Sequence, residues 1–257
     1  MNADVELAER AARAAGELLL SYYGRVPEGL GSKSSDTDLV SDADREAERT
    51  IRELLAAERP GDGLLAEEGS HSDSESGRRW IVDPLDGTIN FLYGFPAWAV
   101  SVALEDGDGL VAGVVHSPVH RETFCALRGE GAWLLGDGER QRLRVRDTRE
   151  LAVALVATGF SYEPPRRALQ ADVMRELLPR ARDIRRAGAA ALDLAWLAAG
   201  RVDAYFERGL HRWDWAAGQL LLEEAGGVVV PLGGEWPGML AASTPELLAE
   251  LQPLVGS

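Results

Sequence analysis

Trp80-Ile81-Val82-Asp83-Pro84-Leu85-Asp86-Gly87-Thr88-Ile89-Asn90-Phe91-Leu92-Tyr93-Gly94-Phe95-Pro96 is the stretch from which the rest of the chain can be read. It opens with three apolar residues and an acid, the pattern of a buried strand end. Pro84 has no backbone donor and is expected to end regular pairing. Asp86-Gly87 is a turn signal. Asp83 and Asp86 are therefore expected on a tight bend at the carboxyl end of a strand, facing one small volume. Two carboxylates that close repel each other unless a cation or a proton lies between them. Thr88 adds a hydroxyl, and Gly87 and Thr88 offer backbone N–H groups to an anion. Hard oxygen ligands beside an anion-binding turn describe a magnesium–phosphate site. A polar turn whose acids cap the next segment explains this DxxDGT pattern equally well, so the surrounding chain has to decide.

The 257 residues are enough for one large domain or two lobes with a proper core. Apolar residues make up 46% and charged residues 27%, ordinary for a globular protein. Lys and Arg total 27 against 42 Asp and Glu, a net charge of −15. That balance argues against nucleic acid as the main partner, because phosphate contacts need a basic face. It suits an anionic substrate only if bound metal reverses the local sign. The single cysteine, Cys125, excludes an internal disulfide and reads as strand-core packing. MNADVELAER lacks a basic segment followed by a long apolar run, and no stretch reaches the length of a membrane span. A cytoplasmic protein without a membrane partner is expected. The histidines do not form a zinc pattern: Ser117-Pro118 separates His116 from His120, while His71 and His211 stand alone.

Residues 4–23 place Val5, Ala8, Ala11, Ala12, Ala15, Leu18, Leu19 and Tyr22 at helical spacing, and Gly24 and Pro27 end the segment. Gly29–Asp38 is a polar loop with one cation, Lys33. A second helix is expected from Ser41, with Ala43, Ala47, Ile51, Leu54 and Leu55 inside; Ser41 reads as its N-cap, with Asp44 reaching back. Gly63–Ala66 reads as a short strand running into Glu67-Glu68, followed by a polar loop from His71 to Arg79. Period-two segments at Ala99–Leu104, Leu110–Val115, Glu122–Leu127 and Leu143–Val145 predict an antiparallel meander, with Asp106–Gly109 turning its first hairpin. Beyond residue 150, strands and helices alternate. Strands are predicted at Val153–Thr158, Asp183–Arg186, Val202–Glu207, Val228–Val230 and Met239–Ala242. Helices are predicted at Arg166–Leu178, Leu192–Ala199 and Asp214–Ala225, with a last one from Pro245. Two lobes packing directly on each other follow: residues 1–150 carry the acidic strand ends, and residues 151–257 form a mixed α/β unit.

A second acidic element opens the Asp214 helix with His211-Arg212-Trp213-Asp214-Trp215-Ala216-Ala217-Gly218. Asp214 there can cap the helix, bind a metal, or do both. Glu207, seven residues earlier at a strand end, can line the same cavity.

Asp83-Pro84-Leu85-Asp86-Gly87-Thr88, together with Trp213-Asp214-Trp215-Ala216-Ala217-Gly218 through Glu223-Glu224-Ala225-Gly226-Gly227, resembles the two signatures of the inositol monophosphatase family. These are magnesium-dependent, lithium-sensitive phosphatases related to fructose-1,6-bisphosphatase. The likeness runs from Leu39-Val40-Ser41-Asp42-Ala43-Asp44 to the last helix. It implies an αβαβα layered sandwich, usually a homodimer. It implies two or three Mg²⁺ ions held by Glu67, Asp83, Asp86, Asp214 and the Leu85 carbonyl, with Glu68 holding one through water. Asp44 and Thr88 would orient and deprotonate the attacking water, with Glu67 beside them. Gly87 and Thr88 would give N–H groups to the phosphate. Glu207, Asp214 and the Gly188-Ala189-Ala190 segment would meet the substrate, and Lys33 would lie in a flap near the site. Metal ions about 4 Å apart can clamp the attacking and leaving oxygens of an in-line displacement. Two positions depart from the family pattern. Ala66 stands where Gly is frequent, and Ala189 stands where a hydroxyl residue would give the substrate a hydrogen bond. Ser161 is a further candidate for the pocket.

The expectation is therefore a Mg²⁺-dependent phosphomonoesterase acting on a small phosphorylated polyol, inositol monophosphate. Histidinol phosphate, fructose-1,6-bisphosphate and 3′-phosphoadenosine 5′-phosphate are the rivals within that chemistry. Arg185 and Arg186 are the candidate cations for a second phosphate. A regulator that keeps the fold without catalysis is the reading from another class.

Overall fold

Both faces of the central strands of the first sheet are apolar, and that decides the architecture. Along 99–104, Val100, Val102 and Leu104 pack in one core while Ala99 and Ala103 pack in another. Likewise Cys125 and Leu127 face the first core, and Phe124 and Ala126 the second. A sheet apolar on both faces must be covered on both faces. The structure, a computed structural model, describes residues 2–24, 36–136 and 139–256.

In chain order the elements are α1 (Ala3–Tyr22), α2 (Asp36–Glu58), β1 (Gly63–Ala66), β2 (His71–Ser72), β3 (Arg79–Asp86), α3 (Thr88–Leu92), β4 (Ala99–Asp106), β5 (Gly109–Ser117), β6 (Glu122–Leu127), β7 (Gly131–Gly136) and β8 (Glu139–Arg142). They continue with β9 (Leu155–Thr158), α4 (Pro164–Leu177), β10 (Asp183–Arg185), α5 (Ala190–Ala198), β11 (Ala204–Arg208), α6 (Arg212–Glu224), β12 (Val228–Leu232), β13 (Gly238–Ala242) and α7 (Pro245–Val255). The first sheet runs β2-β1-β3-β4-β5-β6-β7-β8, antiparallel except for the parallel β1–β3 pair. The second runs β10-β9-β11-β13-β12; its first three strands are parallel and the last two antiparallel to their neighbours.

Helices α1 and α2 cover one face of the first sheet, with Leu7, Leu19 and Ile51 fully buried against Trp80 and Trp98. Helices α5 and α6 lie between the sheets, in a core shared by Ile81 and Phe124 on one side and Tyr205 and Ala241 on the other. Helices α4 and α7 close the outer face of the second sheet, where Phe206, Leu240 and Leu251 meet. The result is the expected αβαβα sandwich.

Several local expectations are corrected. Pro84 does not end pairing. Strand β3 continues to Asp86 through a register shift between Asp83 and Asp86, which is how a residue without an N–H is accommodated inside a ladder. Helix α2 starts at Asp36 rather than near Ser41, so Ser41 lies inside the helix and not at its start. Leu143–Val145 is not a strand. The meander instead closes with β7 and β8, and the Leu143 side chain is buried behind them. His71-Ser72 forms a short edge strand inside the predicted polar loop. Lys33 lies outside the described residues.

Candidate active site

The bend after β3 is built by three local contacts. The Leu85 N–H donates to Asp83 Oδ1 at 2.9 Å, so Asp83 folds the backbone around itself. Gly87 sits at φ 93°, where its missing Cβ avoids the Ala97 carbonyl at 2.8 Å. Thr88 then starts α3, and its Oγ1 donates to the Leu85 carbonyl at 3.1 Å.

Asp86 does cap a helix, but one far along the chain. Its two oxygens accept from the N–H groups of Ala190 (3.1 Å) and Ala191 (2.7 Å), the first residues of α5. Capping leaves each Asp86 oxygen a second lone pair. Asn90, which sequence reasoning passed over, ties the same two regions together. Its Nδ2 donates to the carbonyls of Ala97 (2.6 Å) and Ala187 (2.8 Å).

Asp214 is not the N-cap of α6. His211 holds that place and Asp214 lies at the third helical position, with Oδ2 accepting from the His211 N–H at 2.6 Å. This reciprocal capping arrangement directs the carboxylate back over the helix start. His211 stacks on Trp213 at 4.8 Å between ring centres, which seats the turn.

These elements converge on a cavity of about 290 Å³. Glu67, Asp83, Leu85, Asp86, Gly87, Thr88, Gly188, Ala190, Glu207 and Asp214 all line it. Asp44, Glu68 and Ala189 are not in its wall. Ala189 is buried, its Cβ 3.2 Å from the place a Cβ on Gly87 would occupy, so it shapes the turn rather than facing the cavity. Glu68 lines a neighbouring cavity with His71 and Trp80. The cavity also has walls that sequence reasoning missed, Phe160 and Tyr162; of the two candidate cations Arg185 and Arg186, only Arg186 lines it. Ser161, between the two aromatics, turns instead to the start of α4 and accepts from the Glu163 N–H at 3.1 Å.

Charge is the dominant feature. Burial, reinforced by the Glu67, Asp86 and Asp214 charges, raises the Asp83 carboxyl well above the usual carboxylate range. Burial and Asp214 do the same to Asp86. Loss of hydration pushes Glu67 up to about 7, and the nearby Asp214, Glu68 and Glu48 charges add to the rise. Burial also pushes Glu207 up to about 7, although the Tyr205 hydroxyl donates to it at 2.7 Å. Asp44 is pushed up to about 8 by burial and then by Glu68 and Glu67. Its Oδ1 is buried with no hydrogen-bond partner among the described residues.

Among the described residues, no three His, Cys, Asp or Glu side chains are gathered as a metal-holding group. Asp83 and Asp214 each accept from one backbone N–H and Asp86 from two, none of them shared. The donor set nonetheless suits a hard divalent cation. It is all oxygen, it is anionic, and its members are driven to take up protons wherever positive charge is lacking.

A layered α/β fold whose strand ends bring acids together beside a tight glycine turn fits a phosphoric monoester hydrolase. The chain belongs to the inositol monophosphatase family, whose model matches residues 2–256. It is 44% identical over 249 residues to the inositol-1-monophosphatase SuhB of Mycobacterium tuberculosis, covering 92% of this chain and 86% of that one. It is 38% identical to the Nus factor SuhB of Pasteurella multocida, covering 98% and 95%. The crystal structure of extragenic suppressor protein suhB from Bartonella henselae superposes over the full length of both chains with a TM-score of 0.86 at 38% identity. Among the described residues no helix is long and apolar enough to cross a membrane.

Proposed function

We propose that this protein hydrolyses inositol monophosphate in a Mg²⁺-dependent reaction, with water attacking phosphorus directly. The observation that carries the reading is the single cavity walled by Glu67, Asp83, Asp86 and Asp214 on one side and by Gly87, Thr88 and Glu207 on others. Glu67, Asp83, Asp86, Asp214 and the Leu85 carbonyl would hold the cations, with Glu68 acting through water. Bound there, divalent ions supply charge neutralisation for the phosphate and acidify the attacking water.

The chain's own groups do the rest. The backbone N–H groups of Gly87 and Thr88 hold the phosphate. Thr88 Oγ1 already donates to the Leu85 carbonyl, so it meets the attacking water as an acceptor. Asp44, once bound cation has displaced the proton that burial holds on it, is the final proton acceptor, and an Oδ1 with no partner among the described residues supports that role. A bond forms from the water oxygen to phosphorus as the ester oxygen–phosphorus bond breaks, and the polyol leaves as an alcohol after taking a proton. Glu207, with Gly188 and Ala190, meets the polyol hydroxyls; Ala189 lies behind them. The lobes 1–150 and 151–257 divide the work, the first supplying most carboxylates and the second Asp214 and Glu207. The exposed apolar side chains Ile89, Tyr93 and Phe95 beside the turn support a homodimer.

The test is phosphate release from inositol 1-phosphate, histidinol phosphate, fructose-1,6-bisphosphate and 3′-phosphoadenosine 5′-phosphate, with Mg²⁺, with EDTA and with added Li⁺. Release concentrated on inositol 1-phosphate and abolished by EDTA is expected. Release concentrated on another ester keeps the mechanism and changes the substrate. The relatives named Nus factor give ground to a second reading, in which the fold also serves a regulatory partner. Absence of release from folded, Mg²⁺-loaded protein would favour it.

A further inference from the structure

Helix α2 carries a second buried acid that none of the foregoing roles uses. Glu48 is 4% exposed and lies one helical turn after Asp44, itself 5% exposed, so both project from one face. Glu48 spends both oxygens on the turn after β1. Oε2 accepts from the Glu68 N–H at 2.7 Å, and Oε1 accepts from the Ser70 N–H at 3.0 Å. The turn has other ties. The Glu67 N–H donates to the Val82 carbonyl at 3.2 Å, the Ala66 N–H to the Ser70 carbonyl at 3.0 Å, and Gly69 bends the chain at φ 103°. Glu67 therefore stands between two supports, strand β3 on one side and the Glu48 carboxylate on the other. A glutamate buried beside Asp44, Glu67 and Glu68 adds negative charge where it is already in excess, so stability alone is a poor reason for it.

We propose that Glu48 is a positioning residue. Through its two backbone hydrogen bonds it fixes the Glu67-Glu68 turn relative to Asp44. One face of α2 thereby sets the spacing between the proposed proton acceptor and the proposed cation-holding carboxylates. The inference rests on the reading of the site given under Proposed function. Glu48 touches neither substrate nor cation; its effect passes through the backbone of residues 67–70.

Glu48→Gln tests it. The amide keeps the size of the side chain, but one of its two acceptors becomes an NH₂ facing an N–H. The Mg²⁺ concentration giving half-maximal phosphate release is expected to rise about tenfold, the scale for losing a group that orients a metal ligand. The rate at saturating Mg²⁺ should stay within about twofold of the parent. The Mg²⁺ concentration giving half of the thermal stabilisation should rise by the same factor, and amide exchange at Glu68 and Ser70 should accelerate. Glu48→Asp, which keeps both acceptors one methylene short, should fall between parent and Gln, and it carries the same measurement if the Gln variant is insoluble. A lower melting temperature with an unchanged Mg²⁺ dependence would reduce Glu48 to a stability role and overturn the inference. If the parent itself releases no phosphate, the functional reading fails separately. The amide exchange and the Mg²⁺ thermal titration then still read the bracket, and unaltered values in Glu48→Gln would sink it.

Discussion

The end of β3 and the start of α6 both aim acids into the cavity, but they do so by opposite means. At β3, Asp83 and Asp86 are 2% and 8% exposed, and Asp86 is engaged by the amide groups of a helix more than a hundred residues away. At α6, the Asp214 carboxylate bonds the backbone of its own turn, three residues back. The first element is held by tertiary packing and the second by local capping. A motif that caps itself should survive loss of its charge as a structure. A motif that knits two layers should lose function and stability together.

The largest effect expected is from Asp86→Asn. Loss of one anionic ligand removes several kcal/mol of transition-state stabilisation, a fall of about a thousandfold or more in kcat/KM for phosphate release. The same variant leaves one N–H of α5 without its acceptor, costing about 1 kcal/mol in urea unfolding. Asp214→Asn should lose at least about a hundredfold in kcat/KM, with a melting temperature close to the parent in EDTA because its amide oxygen still accepts from His211. A matching loss of stability in both variants would erase the distinction between the two elements.

Gly87→Ala strikes the geometry rather than the charge. A Cβ at φ 93° and 2.8 Å from the Ala97 carbonyl should cost about 1–3 kcal/mol, read as a lower urea midpoint, along with weaker phosphate binding. Titration gives a further test. Asp44 is raised from 3.8 to about 8 and Glu67 from 4.5 to about 7. Their protonated forms favour the folded state, so that stability is complete below about pH 4 and disappears as pH rises through 7 to 8. In EDTA the melting temperature should fall between pH 5 and pH 9. Saturating Mg²⁺ should flatten the fall, because cation binding displaces the same protons. A melting temperature in EDTA that rises over this range would contradict the buried-acid account. The smallest effect is expected from Asp108→Asn in the exposed β4–β5 turn, a control within about 0.5 kcal/mol of the parent.

Much of this was legible in the chain itself. The helical spacing of Val5 to Leu19, the hairpin at Asp106–Gly109 and the alternation after residue 150 each follow from local periodicity and turn chemistry, and each appears close to where it was expected. The missed elements have physical reasons. Strand β7 is only half buried along Trp133–Gly136, so it offered no clean alternation. Strand β3 runs through Pro84 because a register shift absorbs the missing donor. Phe160 and Tyr162 gave no local signal, since what makes them cavity walls is the loop they share, while the Arg185-Arg186 pair was visible as cationic without showing which of the two lines the cavity.

By itself the sequence determined which residues are acidic, which turns bend, and where most helices and strands run. These depend on side-chain chemistry and on spacings of a few residues. Only the tertiary structure decided that Asp86 reaches α5, that Asn90 ties the same loops and that Glu48 holds the turn of Glu67. Each of those contacts joins groups about 20 to 105 residues apart. Contacts of that span form when layers close on a shared core, and no local propensity encodes them.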